Sequence, residues 1–325
     1  MDVPEYRRQV EAELEQAAQQ QTSFRELLRS RPAARRKMAP AAAALQDDDD
    51  LTAAVDVLSD GAADLELQTA ALQVININIE ARPELIDTLL ALLRDATVPA
   101  DLRRAILNVL QQISFRMVLF PGKRPDYLAT LRSIIEDPDA QLRRRAIGIL
   151  AREQDEYVQR RLIEGLEQRS RALVPAAKAI QFLGYDVHAE YFPMLRRIIE
   201  QPPSRAAKRE AVRLLSADPA SSDLLVTILN DKHEDAEVRK TAAVALQSLA
   251  PDRFEAQARR IVLDEDEDDE LRAVSISALT QFANPAALRQ DDQLNRRIGQ
   301  LHAESGSPQV QQATAGYLAK HGAQP

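Results

Sequence analysis

Leu229-Asn230-Asp231, followed after a short turn by Val238-Arg239-Lys240-Thr241-Ala242-Ala243, is the stretch from which the fold is read. An apolar residue, a basic residue, two variable positions and a small residue open an amphipathic helix. The phrase returns as Leu102-Arg103 before Ile106, Leu142-Arg143 before Ala146, Ala207-Lys208 before Ala211 and Leu271-Arg272 before Ser275. Fainter copies start at Leu67, Ala172 and Val310. Neighbouring copies lie 30 to 40 residues apart. A period of this size marks stacked supersecondary units, each too small to bury its apolar face alone.

Within these helices, offsets 0, +4, +7 and +8 from the phrase start are apolar or small. Val238, Ala242, Ala245 and Leu246 follow the rule, as do Leu142, Ala146, Ile149 and Leu150, and Ala172, Ala176, Ala179 and Ile180. That is one face of a helix with 3.6 residues per turn. Small residues at +4 let paired helices approach closely. First helices are predicted at roughly 51–59, 83–94, 125–136, 155–168, 189–200, 220–230, 253–263 and 288–304, each preceding one of the eight phrase helices. Pro83, Pro125 and Pro138 stand where helices begin or turns form, where a missing N–H costs nothing. Asp101, Asp139 and Asp235 read as N-caps or first-turn acids.

The composition agrees with an all-α chain. It holds 325 residues, only 9 Gly, and much Ala, Leu, Arg, Glu and Gln, which are helix formers. There is no Cys, which excludes disulfides, thiolate chemistry and Cys-ligated zinc. No apolar run approaches the roughly 18 residues that span a bilayer. The first residues lack the apolar core of a secretory signal, so a cytoplasmic, soluble protein is expected. Net charge is −8, yet Asp47–Asp50 and the seven consecutive acids Asp264–Glu270 account for eleven negative charges, without which the chain would carry +3.

An acid stands eight residues before the basic position in several units: Asp95 before Arg103, Asp231 before Arg239, Asp264 before Arg272 and Glu200 before Lys208. Asp60 holds the same place before Gln68, and Asp137 precedes Arg143 by six in a shorter turn. Pairing of turn carboxylates with basic residues of neighbouring units is expected to form a ladder.

These phrases, with Ile135-Glu136-Asp137-Pro138-Asp139 before Leu142-Arg143, resemble HEAT repeats, in particular the short bacterial type also found in phycobilisome lyases. The resemblance covers about residues 50–321. It implies a right-handed α-α superhelix, a HEAT-like solenoid of about eight helical hairpins over residues 46–325. Residues 1–45 differ. Glu5–Ser30 reads as a helix with Val10, Leu14, Phe24, Leu27 and Leu28 apolar, and Arg31–Pro40 as a basic connector. This segment is either an N-terminal cap over the first repeat, as solenoids need, or a docking arm.

Catalytic signatures are missing. His188, His233, His302 and His321 have no metal-ligand spacing. HEAT-type deoxyhypusine hydroxylases hold iron with several His-Glu pairs, and this chain has only His233-Glu234. HEAT-like alkylpurine DNA glycosylases grip bases with aromatics, whereas this chain has no Trp and 4% aromatic residues; an acidic chain is also a poor partner for phosphate backbones. No Gly-rich phosphate loop or nucleophile elbow is present. The acidic run Asp264–Glu270 lacks the Gly and spacing of an EF-hand and reads as a solvated turn. No cofactor, metal or small-molecule substrate is expected. Bilin-lyase-like activity remains as the analogy implied by the resemblance, with DNA repair behind it.

The expected function is a non-catalytic scaffold or adaptor that binds a protein or acidic peptide on a concave face lined by second helices. Non-core offsets +2, +3, +6 and +9 there carry Arg104, Asn108, Gln111, Arg144, Arg145, Lys178, Arg209, Arg213, Lys240 and Gln247. Arginine suits carboxylates, and Asn and Gln suit the backbone of an extended chain. The same residues also suit a solvated face of intra-helix charge pairs. The long insertion Phe115–Pro125 reads either as a helix end packed in the core or as a protruding contact loop of Phe115, Met117, Leu119 and Phe120 beside Pro121-Gly122. If the stripe binds a partner, the double variant Arg144→Glu/Arg209→Glu weakens capture of that partner and leaves the fold intact. Unchanged capture would remove the stripe as a binding surface.

Overall fold

A computed structural model describes residues 19–20, 23–30, 47–60, 63–115, 120, 122–186 and 191–321. Among these residues the regular structure is helical, without a strand, and no helix is long and apolar enough to cross a membrane. The chain divides into two compact units, 1–158 and 159–325.

In the first unit the helices are α1 (Asp47–Ser59), α2 (Leu65–Asn78), α3 (Leu85–Arg94), α4 (Ala100–Ser114), α5 (Arg124–Ser133) and α6 (Ala140–Arg152). They pack as the antiparallel-type pairs expected of short connections, α1 on α2, α3 on α4 and α5 on α6. Each second helix also touches the next, α2 on α4 and α4 on α6, and α3 touches α5. Residues 23–30 are helical as well; Phe24 and Leu28 are buried there, and Arg25 Nε donates to Asp50 Oδ2 at 2.6 Å. The rest of the expected N-terminal helix and the basic connector lie outside the described residues.

Helix α7 (Glu156–Glu167) is followed in the second unit by α8 (Ala176–Leu183), α9 (Phe192–Glu200), α10 (Arg205–Leu214), α11 (Ser222–Asn230), α12 (Ala236–Leu249), α13 (Pro251–Leu263), α14 (Asp269–Phe282), α15 (Pro285–Gln290), α16 (Asp292–Glu304) and α17 (Pro308–His321). Pairs α9/α10, α11/α12, α13/α14 and α16/α17 form, and the second helices α8, α10, α12, α14 and α17 contact one another in sequence. The single helix expected over 288–304 is two: Asp291 ends α15 and caps α16.

The offset rule for the core holds. Leu102, Ile106, Val109 and Leu110 are buried, as are Leu142, Ala146, Ile149 and Leu150, and Val238, Ala242, Ala245 and Leu246. Helix entry is repeated too. Asp64, Asp139, Ser204, Asp235 and Asp268 are N-caps whose side chains accept the amide of the residue at offset 0 in their own helix, satisfying a donor that has no intrahelical partner.

The expected ladder exists, with different partners. The acid eight residues upstream does not pair with its basic residue; it folds its own turn. Asp95 Oδ1 accepts from the Thr97 amide at 2.8 Å, Asp231 Oδ1 from His233 at 2.9 Å, and Asp264 Oδ1 from Asp266 at 3.0 Å, the local bond that makes Asp a turn residue. The basic residue instead bridges two units. Arg103 Nε donates to Leu93 O at 2.9 Å, at the C-terminal end of α3, and its Nη1 pairs with Asp137 of the next turn at 2.6 Å. Arg239 Nε donates to Leu229 O at 2.9 Å, at the end of α11, and both its Nη atoms meet Glu267 of the next turn at 2.8 Å. Lys208 pairs likewise with Glu234. The two Arg–carboxylate pairs are nearly dry, with side-chain exposures of 4% and 5% for Arg103 and Asp137 and 7% and 4% for Arg239 and Glu267. In other units the side chain reaches a carbonyl of its own turn: Gln68 Nε2 reaches Asp60 O at 3.4 Å, Arg143 Nη1 reaches Asp137 O at 2.5 Å, and Arg272 Nη2 reaches Asp264 O at 3.1 Å.

First helices carry a second ladder. Arg132 of α5 binds Asp155 (Nε to Oδ2, 2.9 Å), Arg196 of α9 binds Asp218, and Arg259 of α13 binds Asp291 (Nη2 to Oδ1, 3.1 Å). Each of these aspartates also caps the segment it opens, accepting the amides of Val158, Ala220 and Leu294 respectively. The Arg259 guanidinium holds the Asp291 carboxyl below the usual carboxylate range, against the opposing effect of burial.

Breaking one partner of a buried pair strands a charge, at a cost of about 3–5 kcal/mol. Asp137→Ala is therefore expected to lower the urea-unfolding free energy by that much. Arg103→Met/Asp137→Leu should recover most of it, and equal losses in the two variants would show that the pair's packing, not its charge, matters. The Asp291 linkage has a defined sign. A carboxyl depressed in the folded state contributes stability above its unfolded pKa of ~3.9 and loses it as pH falls through the lower folded value. The stability gap between wild type and Asp291→Asn, which keeps a capping oxygen, should shrink as pH drops below about 4. A gap independent of pH would disprove the linkage.

Candidate functional site

The stripe residues separate into tied and free. In the first unit, Arg104 Nη1 pairs with Asp139 at 2.6 Å and also binds Asp101. Arg145 donates to Gln111 Oε1 from Nε at 3.3 Å and from Nη2 at 3.2 Å. Asn108 is half-buried and its Oδ1 has no partner. Arg144 is exposed and unpaired among the described residues. In the second unit, Arg213 Nε pairs with Glu210 at 2.8 Å, and Lys240 Nζ with Glu237 at 2.5 Å and with Glu270. Arg209 is exposed and unpaired among the described residues. Of the basic stripe residues, Arg144 and Arg209 are thus without a partner among the described residues, Arg145 is held only by a neutral amide, and Arg104, Arg213 and Lys240 are paired with carboxylates. Lys240 shows the effect of such pairing: hydrogen bonds from its ammonium to Glu237 and then Glu270 raise its pKa, and those carboxylates occupy its donors.

The helix phase around Lys178 differs from the sequence reading, and moves that residue from offset +6 to offset +3. Ala172 lies in no helix; α8 starts at Ala176 after Pro175, and its buried residues are Ala179, Ile180, Phe182 and Leu183. That pattern matches Ala211, Val212 and Leu214 of α10 and Leu215 directly after it, so the offset origin is 175, three residues later than expected. Lys178 turns instead over the Phe182 ring, 4.9 Å from its centroid, and donates to Gln181 Oε1 at 2.8 Å.

The insertion is split as well. Phe115 is 77% exposed at the end of α4, whereas Phe120 is 3% exposed and packs edge-on against Tyr127 at 5.2 Å. Phe120 is therefore core, not contact loop; Met117 and Leu119 lie outside the described residues.

The acidic run is the exposed turn expected, with Glu265, Asp266, Asp268, Asp269 and Glu270 at the surface, but several of its acids are engaged. Asp264 pairs with Lys232 at 2.8 Å, Glu267 with Arg239, and Glu270 with Lys240, while Asp268 caps α14. Among the described residues no group of three or more His, Cys, Asp or Glu is arranged to hold a metal ion. His302 Nδ1 lies 3.0 Å from Thr314 Oγ1, and His321 Nε2 3.1 Å from Thr280 O.

The second unit does form a surface able to hold a ligand. An open groove of about 680 Å³ is lined solely by second helices: Lys240 and Gln247 of α12, residues between Glu270 and Phe282 of α14, and residues between Gln309 and Gly316 of α17. Its walls carry the amides Gln247, Gln281, Gln309 and Gln312, the hydroxyls Ser277 and Thr280, and small residues such as Ala273, Ala313 and Gly316. Phe282, 68% exposed at the last position of α14, also lines the groove. A narrow cavity of about 50 Å³ shares Gln247, Ala278 and Phe282 with it. Of the charged lining residues, Lys240 and Glu270 are bound to each other, so the groove interior is neutral.

Only Lys240 and Gln247 of the expected stripe line this groove. The same offsets, applied to the helices at 271 and 310, reach Ala273, Val274, Ser277, Gln312, Ala313 and Gly316. A search for positive charge passes over them, because what these helices present is amide and small side chains. Comparison of the chain with protein-family models, with curated proteins and with solved structures finds no match.

Proposed function

We propose that this protein is a non-catalytic scaffold or adaptor of the HEAT-type solenoid class, a right-handed superhelix of helical hairpins, acting in the cytoplasm. It binds a protein partner on the second-helix groove between Lys240 and Gly316. One observation carries the reading: a large open groove built from three consecutive second helices, with an exposed Phe282 and three amide side chains, Gln247, Gln281 and Gln312, that have no partner among the described residues. Exposed aromatic side chains on an otherwise small and polar wall are what interface anchors look like. Grooves across stacked helices are the binding surfaces of repeat proteins.

Helix stacking sets the groove's dimensions. Packed helices lie about 8–10 Å apart, so α12, α14 and α17 span roughly 16–20 Å from axis to axis, enough for several residues of a partner chain. Ser277 and Phe282 are exposed, so changing them tests the groove without removing core contacts. Ser277→Arg and Phe282→Asp should each leave the thermal transition within a few degrees of wild type. Each is expected to reduce partner capture by the full chain at least about tenfold, the effect of losing one anchor worth ~1.4 kcal/mol. A retained protein set identical for wild type and both variants would exclude this groove.

A further inference from the structure

We infer that the groove's occupant is an extended, uncharged polypeptide segment, held through its backbone by Gln247, Gln281 and Gln312; this rests on the reading of the groove as the partner-binding surface. The argument starts from charge. Lys240 and Glu270 are the ionised groups of the lining, and they neutralise each other, with Glu237 adding a second carboxylate to Lys240. An acidic or basic segment entering here would give up hydration with no free counter-charge to replace it, which is costly. A neutral segment gives up only amide hydration, and the walls can return it.

Gln247, Gln281 and Gln312 make no hydrogen bond or ion pair among the described residues. Each offers a carbonyl and an NH2 group side by side, the pair of complementary groups that one peptide unit presents in an extended chain. A helix uses its backbone groups internally and has nothing to exchange with such a wall. The three amides come from three successive helices. With helices about 8–10 Å apart and an extended chain rising about 3.3 Å per residue, Gln247 and Gln281, both in the last turn of their helices, meet the occupant about three residues apart. Gln312 lies near the start of α17, whose last residue His321 is level with Thr280, so an occupant reaches it on a diagonal, about four to five residues further on. Ala273, Ala313 and Gly316 keep the lining small enough for backbone to approach, and Val274 and Phe282, two helical turns apart on α14, offer apolar contacts for separate side chains.

The test uses the full chain and a displayed library of random nine-residue peptides, followed by synthesis of the selected peptides and titration by fluorescence anisotropy. The expected peptides have uncharged central residues and bind with affinity that changes less than about twofold between low and high salt. Gln281→Ala and Gln312→Ala should each weaken binding by about 3- to 10-fold, as loss of one or two ordinary hydrogen bonds does. N-methylation of single central peptide bonds should weaken it comparably, while swaps among neutral side chains there are tolerated. Acidic peptides with salt-sensitive binding, or peptides that are helical when bound, would overturn the inference. So would peptides lost with Phe282→Asp but indifferent to the glutamine variants; in that case the adaptor reading stands and the backbone readout falls. A library that yields no binder to the wild-type chain overturns both.

Discussion

The structure depends on guanidiniums in the first turn of second helices, Arg103 of α4 and Arg239 of α12. Arg103 and Arg239 do three things at once: they extend a helix in their own unit, donate to a carbonyl that the preceding helix leaves open, and bind a carboxylate of the following turn. Buried and satisfied on every side, such a pair adds modest net energy, but it is intolerant of displacement because either partner alone is a stranded charge. It therefore sets the register between successive helix pairs. Hydrophobic contacts through Leu102, Ile106, Val238 and Ala242 supply the burial. That burial would tolerate sliding along the helix; the directional pair does not.

The same constraint shapes the surface. Acids and bases that look like free charge along the chain are spent on bracing adjacent units. The seven acids between Asp264 and Glu270 include a helix cap and the partners of Lys232, Arg239 and Lys240. First-helix arginines repeat the arrangement with Asp155, Asp218 and Asp291, each of which caps a segment and receives a cation from the preceding unit. A net charge of −8 thus says little about what the protein attracts. What faces a partner in the groove of the second unit is a neutral wall of glutamines, hydroxyls, small residues and one exposed phenylalanine.

Legibility along the chain followed the range of the interactions. Helix positions, core offsets and caps such as Asp139 and Asp235 were readable because they depend on neighbours within about one or two helical turns. The error at Ala172 is instructive. The alanine-rich run from Ala172 to Ala179 satisfies the core spacing in two phases, and Pro175 decides between them, since proline opens a helix more readily than it continues one. Phe120 fits both a core and a contact-loop reading of the sequence for another reason: its burial depends on Tyr127 in the next helix, and a short apolar run has no periodicity to reveal that.

By itself the sequence determined an all-helical chain of paired amphipathic helices, because periodicity, capping and helix propensity are local properties. It also implied that turn acids and second-helix bases would meet. Only the tertiary structure decided which ones do: Arg103 selects Asp137 over Asp95, and Arg239 selects Glu267 over Asp231. Long side chains bridge residues far apart in sequence, and which oxygen they reach is set by how neighbouring units stack. The groove follows from the same cause. Gln247, Gln281 and Gln312 share a wall because three separate helices come together there, and no spacing along a single helix records that.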